Sequence, residues 1–220
     1  MTPNSPERGL VLTYAPAPAR AGLAALLALD DALAQLLRTT REPALGQLRL
    51  AWWREALEKL DSAPAPAEPV LQALAAQVVP HAGGAALVPI VHGWEILVEE
   101  ERLDAAGLVR FAEGRGALFV AAGRVLGAGP RDPVMQAGQG WALSDLARHL
   151  AEPAEADAAR ALARPLLDAA TAVRWSAKGR ALGAMAHLAR MDLSVPAETP
   201  VPVGAPQRVA RLLWHRMSGR

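Results

Sequence analysis

Residues 41–57 read REPALGQLRLAWWREAL and contain two adjacent tryptophans, Trp52 and Trp53. Pro43 suits the first turn of a helix, because the N–H that proline lacks is not needed there. From that point apolar residues recur at steps of three and four, which predicts a helix with one apolar stripe. The stripe comprises Leu45, Leu48, Trp52, Ala56 and Leu60. We therefore expect Trp52 to be largely buried.

Charged residues accompany this stripe. Arg49 and Trp53 are four residues apart, so they lie on one side of the helix and flank the stripe together. Arg54 and Glu58 have the same spacing and are expected to form an exposed ion pair. One interpretation is a core helix with two large aromatic residues. The alternative is a cation held beside aromatic walls, as a pocket for an anionic and apolar ligand requires.

The same segment resembles the squalene/phytoene synthase family, whose members carry a similar E-P-x-L-G-x-x-R-L-x-W-W-R helix. Four further segments resemble the family in the same order: YAPAPAR at 14–20, HGWE at 92–95, FAEGRGAL at 111–118 and GQGWALSDLAR at 138–148. The third stands where the family has Y-A-x-x-T-A-G-x-L, and the fourth where it has G-x-A-x-x-L-T-N-I-L-R. The resemblance covers roughly residues 8–192. It is closest to the branch that includes mitochondrial complex I assembly factors, and it implies the isoprenoid synthase fold, a helical bundle around a central cavity.

Composition also favours an all-α chain. Apolar residues make up 52% of the sequence but aromatic residues only 4%, so alanine and leucine supply most of the apolar mass. Periodicity predicts eight or nine helices, over 20–38, 43–60, 68–80, 84–101, 104–127, 133–151, 155–175, 177–192 and 206–217. We expect a single domain over 1–220. Residues 1–19 form an N-terminal arm in this prediction, and 194–220 form a Pro-rich linker with a basic terminal helix.

The resemblance also implies a chemistry that the sequence does not support. Synthases of the family ionise a prenyl diphosphate with Mg²⁺ ions, which two D-x-x-x-D helix motifs hold across the cavity. At the first motif, Asp30 and Asp31 are present, but the positions four residues on are Ala34 and Gln35. At the second, Arg148 is followed by His149, and Pro153 stands four residues further. Only Asp145 remains there, near the family's Asn, and it could meet Asp30 across a cavity.

These departures predict a protein that keeps the family fold and has lost both aspartate motifs. The first hypothesis is a non-catalytic protein that binds a prenyl lipid or a partner, or that acts in assembly. Its ligand-binding residues are predicted to be Arg49, Trp52, Trp53, Arg148, Asp30 and Asp145, with no catalytic residue, metal ligand or cofactor. The second hypothesis is an active prenyl diphosphate transferase with a rewired metal site and Mg²⁺. The third is a helical scaffold without a pocket.

Charge and cysteine content narrow the class of protein further. The chain has 23 basic and 22 acidic residues, so no strong field attracts nucleic acid. It has no cysteine, which excludes disulfides and thiolate sites. Met1 to Gly9 is polar and no apolar run reaches the ~18 residues of a membrane span, so we expect a cytoplasmic protein. The basic segment Arg208–Arg220 could contact a protein partner or a membrane surface.

Overall fold

The computed structural model describes residues 5–40, 42–196 and 198–220. The described ranges leave out residues 1–4 of the predicted arm, Arg41 at the start of segment 41–57, and Ala197 of the Pro-rich linker. The helices are α1 Pro6–Tyr14, α2 Arg20–Thr39, α3 Pro43–Lys59, α4 Pro69–Gln77, α5 Val79–Ala82, α6 Val88–Glu99, α7 Ala105–Leu126, α8 Val134–Leu146, α9 Pro153–Ala172, α10 Arg180–Asp192 and α11 Pro206–Ser218, with 3₁₀ turns at Ala17–Ala19 and Ala85–Leu87. No residue within the described ranges lies in a strand. The all-α prediction is confirmed.

Local chemistry explains where several helices begin and end. The Asp104 side chain accepts a hydrogen bond from the backbone N–H of Gly107 at 2.7 Å and so caps the start of α7. The Glu68 carboxylate caps α4 in the same way, through the N–H of Leu71 at 2.7 Å. Helix α7 ends at Gly127, whose φ of +68° lies in the left-handed region that favours glycine. Helix α8 ends at Leu146, five residues before the end that periodicity predicts.

Helix α7 lies at the centre of the bundle, packed against α6, α8 and α2. Its two closest crossings are made by glycines. A Cβ on Gly114 would lie 2.6 Å from the backbone nitrogen of Gly93 on α6, and a Cβ on Gly116 would lie 2.8 Å from the nitrogen of Gln139 on α8. Backbones can approach this closely only without side chains. The residue between the two glycines, Arg115, is therefore held at a fixed depth between three helices.

Helix α3 buries a different face from the one that the sequence predicts. Trp53 is 8% exposed, whereas Trp52 is 47% exposed and lies edge-on against Trp53, with ring centroids 5.4 Å apart. The buried residues of α3 are Gly46, Leu50, Trp53, Ala56 and Leu57. The prediction for Trp52 was wrong because two apolar stripes compete on this helix. The stripe that contains the small residue Gly46 lets α3 approach α6. At this contact Arg54 pairs with Glu95 of α6 at 3.0 Å, so the ion pair predicted between Arg54 and Glu58 does not form.

The two chain ends meet at a buried ion cluster. Arg208 of α11 makes a two-pronged contact with Glu7 of α1, at 2.7 Å and 2.9 Å, and bonds Asp192 of α10 at 2.6 Å. Burial alone would raise the pKa of Glu7, but hydrogen bonds from Arg208 and from the Gly204 N–H lower it below its ordinary value. The N-terminal helix α1, which periodicity did not predict, is thus fixed to the C-terminal part of the chain.

Two histidine rings lie between α10 and α11. The rings of His187 and His215 have centroids 4.8 Å apart, and the residues are only 4% and 0% exposed. Burial, reinforced by Arg211, His215 and Arg190, lowers the pKa of His187 to about 3. Burial likewise lowers the pKa of His215 to about 4. Both rings are therefore neutral at pH 7.

Acidification should destabilise the protein through these rings. In the unfolded chain both histidines titrate near 6.5, so the unfolded state binds more protons below that pH. The free energy of unfolding is therefore greatest above pH 6.5 and decreases as the pH falls toward 4. Between pH 7 and pH 5 the decrease is on the order of 2 kcal/mol per ring. Urea unfolding at both pH values measures this loss. The double variant His187→Gln, His215→Gln should show a smaller loss, and an unchanged loss would contradict this assignment.

Candidate functional site

One guanidinium group, that of Arg115, joins Asp30 of the first motif region to Asp145 of the second. Arg115 donates to both carboxylate oxygens of Asp30 at 2.8 Å, and to Oδ2 of Asp145 at 2.7 Å. The indole N–H of Trp94 donates to Oδ1 of Asp30 at 3.1 Å. The side chain of Arg115 is 5% exposed, that of Asp30 8% and that of Asp145 21%. Helices α2, α7 and α8 each contribute one charge to this centre.

Two tryptophan rings lie against the guanidinium. Its central carbon lies 4.6 Å from the ring centroid of Trp94 and 4.4 Å from that of Trp141. Burial alone would lower the pKa of Arg115, but the carboxylates of Asp30 and Asp145 raise it above its ordinary value. For Asp145, burial would raise the pKa, but the charge of Arg115 holds it well below the usual range. Arg115 and Asp145 are therefore ionised at neutral pH.

The charged centre lies in the wall of a two-part cleft. One part, of about 210 Å³, is lined mainly by charged residues and reaches Arg8, Asp31 and Met185. The other, of about 260 Å³, is mostly apolar and is lined by Leu37, Trp94, Leu97, Phe111 and Leu146, among others. The two parts share Ala34, Arg38, Arg115, Asp145 and His149. We call the second part the apolar slot and the first part the mouth of the cleft.

The mouth of the cleft carries four further polar side chains, Arg8, Asp31, Arg38 and His149. Arg8 pairs with Asp31 through two contacts, at 3.0 Å and 2.7 Å. Arg38 is exposed and hydrogen-bonds the amide oxygen of Gln35 at 3.0 Å. The Nδ1–H of His149 donates to the backbone carbonyl of Asp145 at 2.8 Å, which directs Nε2 outward. Three aspartates thus face three arginines, and the formal charges of this lining cancel.

The residues present do not fit the Mg²⁺ cluster that the resemblance implies. Mg²⁺ requires several oxygen ligands in octahedral geometry and dehydrates reluctantly. Both oxygens of Asp30 and Oδ2 of Asp145 already accept hydrogen bonds from Arg115, whose positive charge repels a cation. Among the described residues, no group of three or more histidine, aspartate or glutamate side chains is arranged to hold a metal.

The structure separates the six residues that the sequence singled out. Asp30 and Asp145 meet at Arg115, and Asp31 points elsewhere, toward Arg8, as adjacent helix positions require. The remaining four residues, Arg49, Trp52, Trp53 and Arg148, do not line either part of the cleft.

Neither of the two arginines predicted to bind a ligand lies in the cleft. Arg49 is exposed and donates to the hydroxyl of Thr40 at 2.9 Å, because α3 turns its other face inward. Arg148 lies beyond the end of α8, so it does not continue the inward face of that helix. It donates to the backbone oxygen of Thr199 at 2.7 Å.

The sequence argument missed the residues at the centre of the site, Arg115, Trp94 and Trp141. A signal for Arg115 was present. It lies four residues after Phe111 and four before Phe119, on an apolar helix face, and it replaces the threonine of the family motif. A charged residue in the middle of an apolar face needs a buried counter-ion, which points to Asp30 and Asp145.

Comparisons with known proteins agree with the resemblance. The family model described as squalene/phytoene synthase matches residues 2–90, which include α2 with Asp30 and the Trp52–Trp53 helix. No curated protein and no solved structure matches the chain significantly. No helix in the described part of the chain is long and apolar enough to cross a membrane. The similarity to the squalene/phytoene synthase family therefore rests on residues 2–90, less than half of the 220-residue chain.

Proposed function

We propose that this protein is a non-catalytic relative of the squalene/phytoene synthases that binds a prenyl lipid in the two-part cleft. The observation that carries the proposal is the Asp30–Arg115–Asp145 cluster. The carboxylates that could have contributed to a metal site are bonded to an internal cation, which offsets one of their two negative charges without Mg²⁺. A role in assembly, as in the complex I assembly factors, stays a prediction from the resemblance, as does a cytoplasmic location.

Cleft electrostatics favour a lipid with an uncharged head group. A prenyl diphosphate brings two or more negative charges, and the synthases offset them with Mg²⁺. The lining here has no surplus of positive charge, because Asp30, Asp31 and Asp145 offset its three arginines. A prenyl alcohol or a similar neutral lipid needs only a hydrogen bond from Arg38 and one to Nε2 of His149 at the mouth. Its chain would lie against Leu97, as apolar ligands do in slots of this kind.

Calorimetry with farnesol and farnesyl diphosphate tests this proposal. We expect farnesol to bind the wild-type protein, and the diphosphate to bind more weakly with or without Mg²⁺. Leu97→Glu places a charge in the apolar slot and should abolish binding, since a buried charge without a partner is costly. Val109→Glu is the matched control, because Val109 is 42% exposed and lies outside both parts of the cleft.

Three outcomes would contradict the proposal. Tight, Mg²⁺-dependent binding of the diphosphate, or its turnover, would establish the transferase hypothesis. No binding of either compound, together with no prenyl lipid in mass spectra of the purified protein, would establish the scaffold hypothesis. Equal loss of binding in Leu97→Glu and Val109→Glu would place the lipid outside the cleft.

A further inference from the structure

Helix α11 has a buried face and, opposite to it, an exposed apolar face. Its inner face holds Arg208, Leu212 and His215, all buried against the bundle. The outer face exposes Leu213, Trp214 and Met217, whose exposed fractions are 47%, 54% and 70%. These three residues are spaced so that they form one stripe, opposite to the buried face. We call this set the outer stripe.

Positive charge borders the outer stripe. The segment 206–220 contains four arginines and no acidic residue. Glu7 and Asp192 neutralise Arg208, but Arg211, Arg216 and Arg220 lie closer to solvent. Arginines beside exposed Trp and Leu are typical of helices that lie in the interface of an anionic bilayer.

A cleft of about 390 Å³ opens beside α11. It is lined by Asp168, Thr171, Ala172, His187, Arg190, Met191 and Arg211. Arg190 is paired with Asp168 at 2.6 Å. Arg211 instead faces both ring nitrogens of His187, at 3.2 Å and 2.9 Å. No carboxylate among the described residues forms an ion pair with Arg211.

The contact between Arg211 and His187 leaves a cation incompletely satisfied. A neutral imidazole has a single acceptor nitrogen, so one of the two contacts sets an N–H against another N–H. Protonation of the ring would remove the acceptor altogether. An anionic oxygen in this cleft would accept from Arg211 and resolve the conflict. Phosphate oxygens fit an arginine fork well.

We propose that α11 docks the protein on an anionic phospholipid membrane, with the outer stripe in the interface and Arg211 bound to a lipid phosphate. The positive charge around the outer stripe favours an anionic membrane over a second copy of the chain. A second copy would bring like-charged arginines together, and their repulsion would disfavour association. Helix α3 also exposes apolar side chains, those of Leu45, Leu48 and Trp52. It lacks the excess of positive charge, because it carries acidic Glu55 and Glu58 beside its arginines. This docking surface is independent of the cleft at Arg115.

Co-sedimentation with vesicles tests the docking surface. The full chain should bind vesicles of phosphatidylcholine mixed with phosphatidylglycerol, should not bind phosphatidylcholine alone, and should dissociate as salt is raised. Trp214→Ser should weaken binding about tenfold, because a large apolar side chain no longer leaves water. Trp52→Ser is the matched control, with a tryptophan of similar exposure on α3, and should leave binding unchanged.

Two further variants test the depth of the stripe and the phosphate contact. Lipids with brominated acyl chains should quench the wild-type tryptophan fluorescence, and Trp214→Phe should bind equally well while losing most of that quenching. Arg211→Gln should weaken binding to the anionic vesicles about fivefold, whereas Arg102→Gln, a change at an exposed arginine between α6 and α7, should not.

Several results would overturn the proposal. These are equal binding to both kinds of vesicle, absence of binding to either, or binding that survives Trp214→Ser. A dimer in solution that Trp214→Ser dissociates would assign the outer stripe to a second copy of the chain. Thermal melts of each variant, expected to match the wild type because the replaced side chains are on the surface, verify that every variant is folded.

Discussion

Replacing Arg115 with methionine should lower the free energy of unfolding by about 3–5 kcal/mol, the usual loss when one partner of a buried ion pair is removed. Methionine preserves most of the side-chain volume between Trp94 and Trp141, so the loss reports charge and not a cavity. The carboxylates of Asp30 and Asp145 would then face each other without a cation. Urea unfolding measures the change. The deficit relative to wild type should shrink as the pH is lowered, because protonation relieves the unpaired carboxylates.

Two further variants distinguish the buried cluster from a general loss of positive charge. Arg110→Met on the same helix removes an arginine that is 54% exposed and pairs with Glu100, and should cost less than about 1 kcal/mol. The triple variant Asp30→Asn, Arg115→Met, Asp145→Asn removes all three charges and should regain most of the lost stability. If the triple variant is no more stable than Arg115→Met, the electrostatic account of this centre is wrong.

The second large effect is expected at the tandem tryptophans. Trp53→Ala should lower the free energy of unfolding by about 3–5 kcal/mol, since Trp53 is 8% exposed and packs within the core. Trp52→Ala should cost about 1 kcal/mol or less, because Trp52 is half exposed and contributes chiefly its edge contact with Trp53. Thermal or urea unfolding of the two variants, side by side, measures the difference. A larger loss at Trp52 would contradict the observed face of α3.

Helix positions were largely predictable because periodicity, proline and caps are local signals. Nearly all the predicted helices are present, and the boundaries at Pro43 and Pro206 agree with the structure. The inward face of α3 was not predictable in this way. Both of its stripes carry leucine and one tryptophan, so the choice depends on contacts with α6, which lies more than thirty residues along the chain.

Only part of the candidate site could be read from the sequence. Asp30 and Asp145 came from the family motifs, and the motif regions do meet in the fold. Arg49 and Arg148 were selected by motif position alone, and position says nothing about which way a helix turns or where it ends. Arg115 was overlooked because a single arginine on an apolar face becomes informative only when a buried carboxylate is assigned to it.

The glycine crossings of α7 have a consequence for how the proposed lipid would enter and leave the cleft. Because Gly114 and Gly116 bring α7 into backbone contact with α6 and α8, these helices form a stiff wall that cannot open without losing its packing. The adjustable part of the cleft is its mouth, where Arg38 and His149 are exposed. Exposed side chains change rotamer within nanoseconds, whereas helix displacements take microseconds or longer. Ligand exchange should therefore be fast, with residence time set by the affinity of the apolar slot and not by a gate.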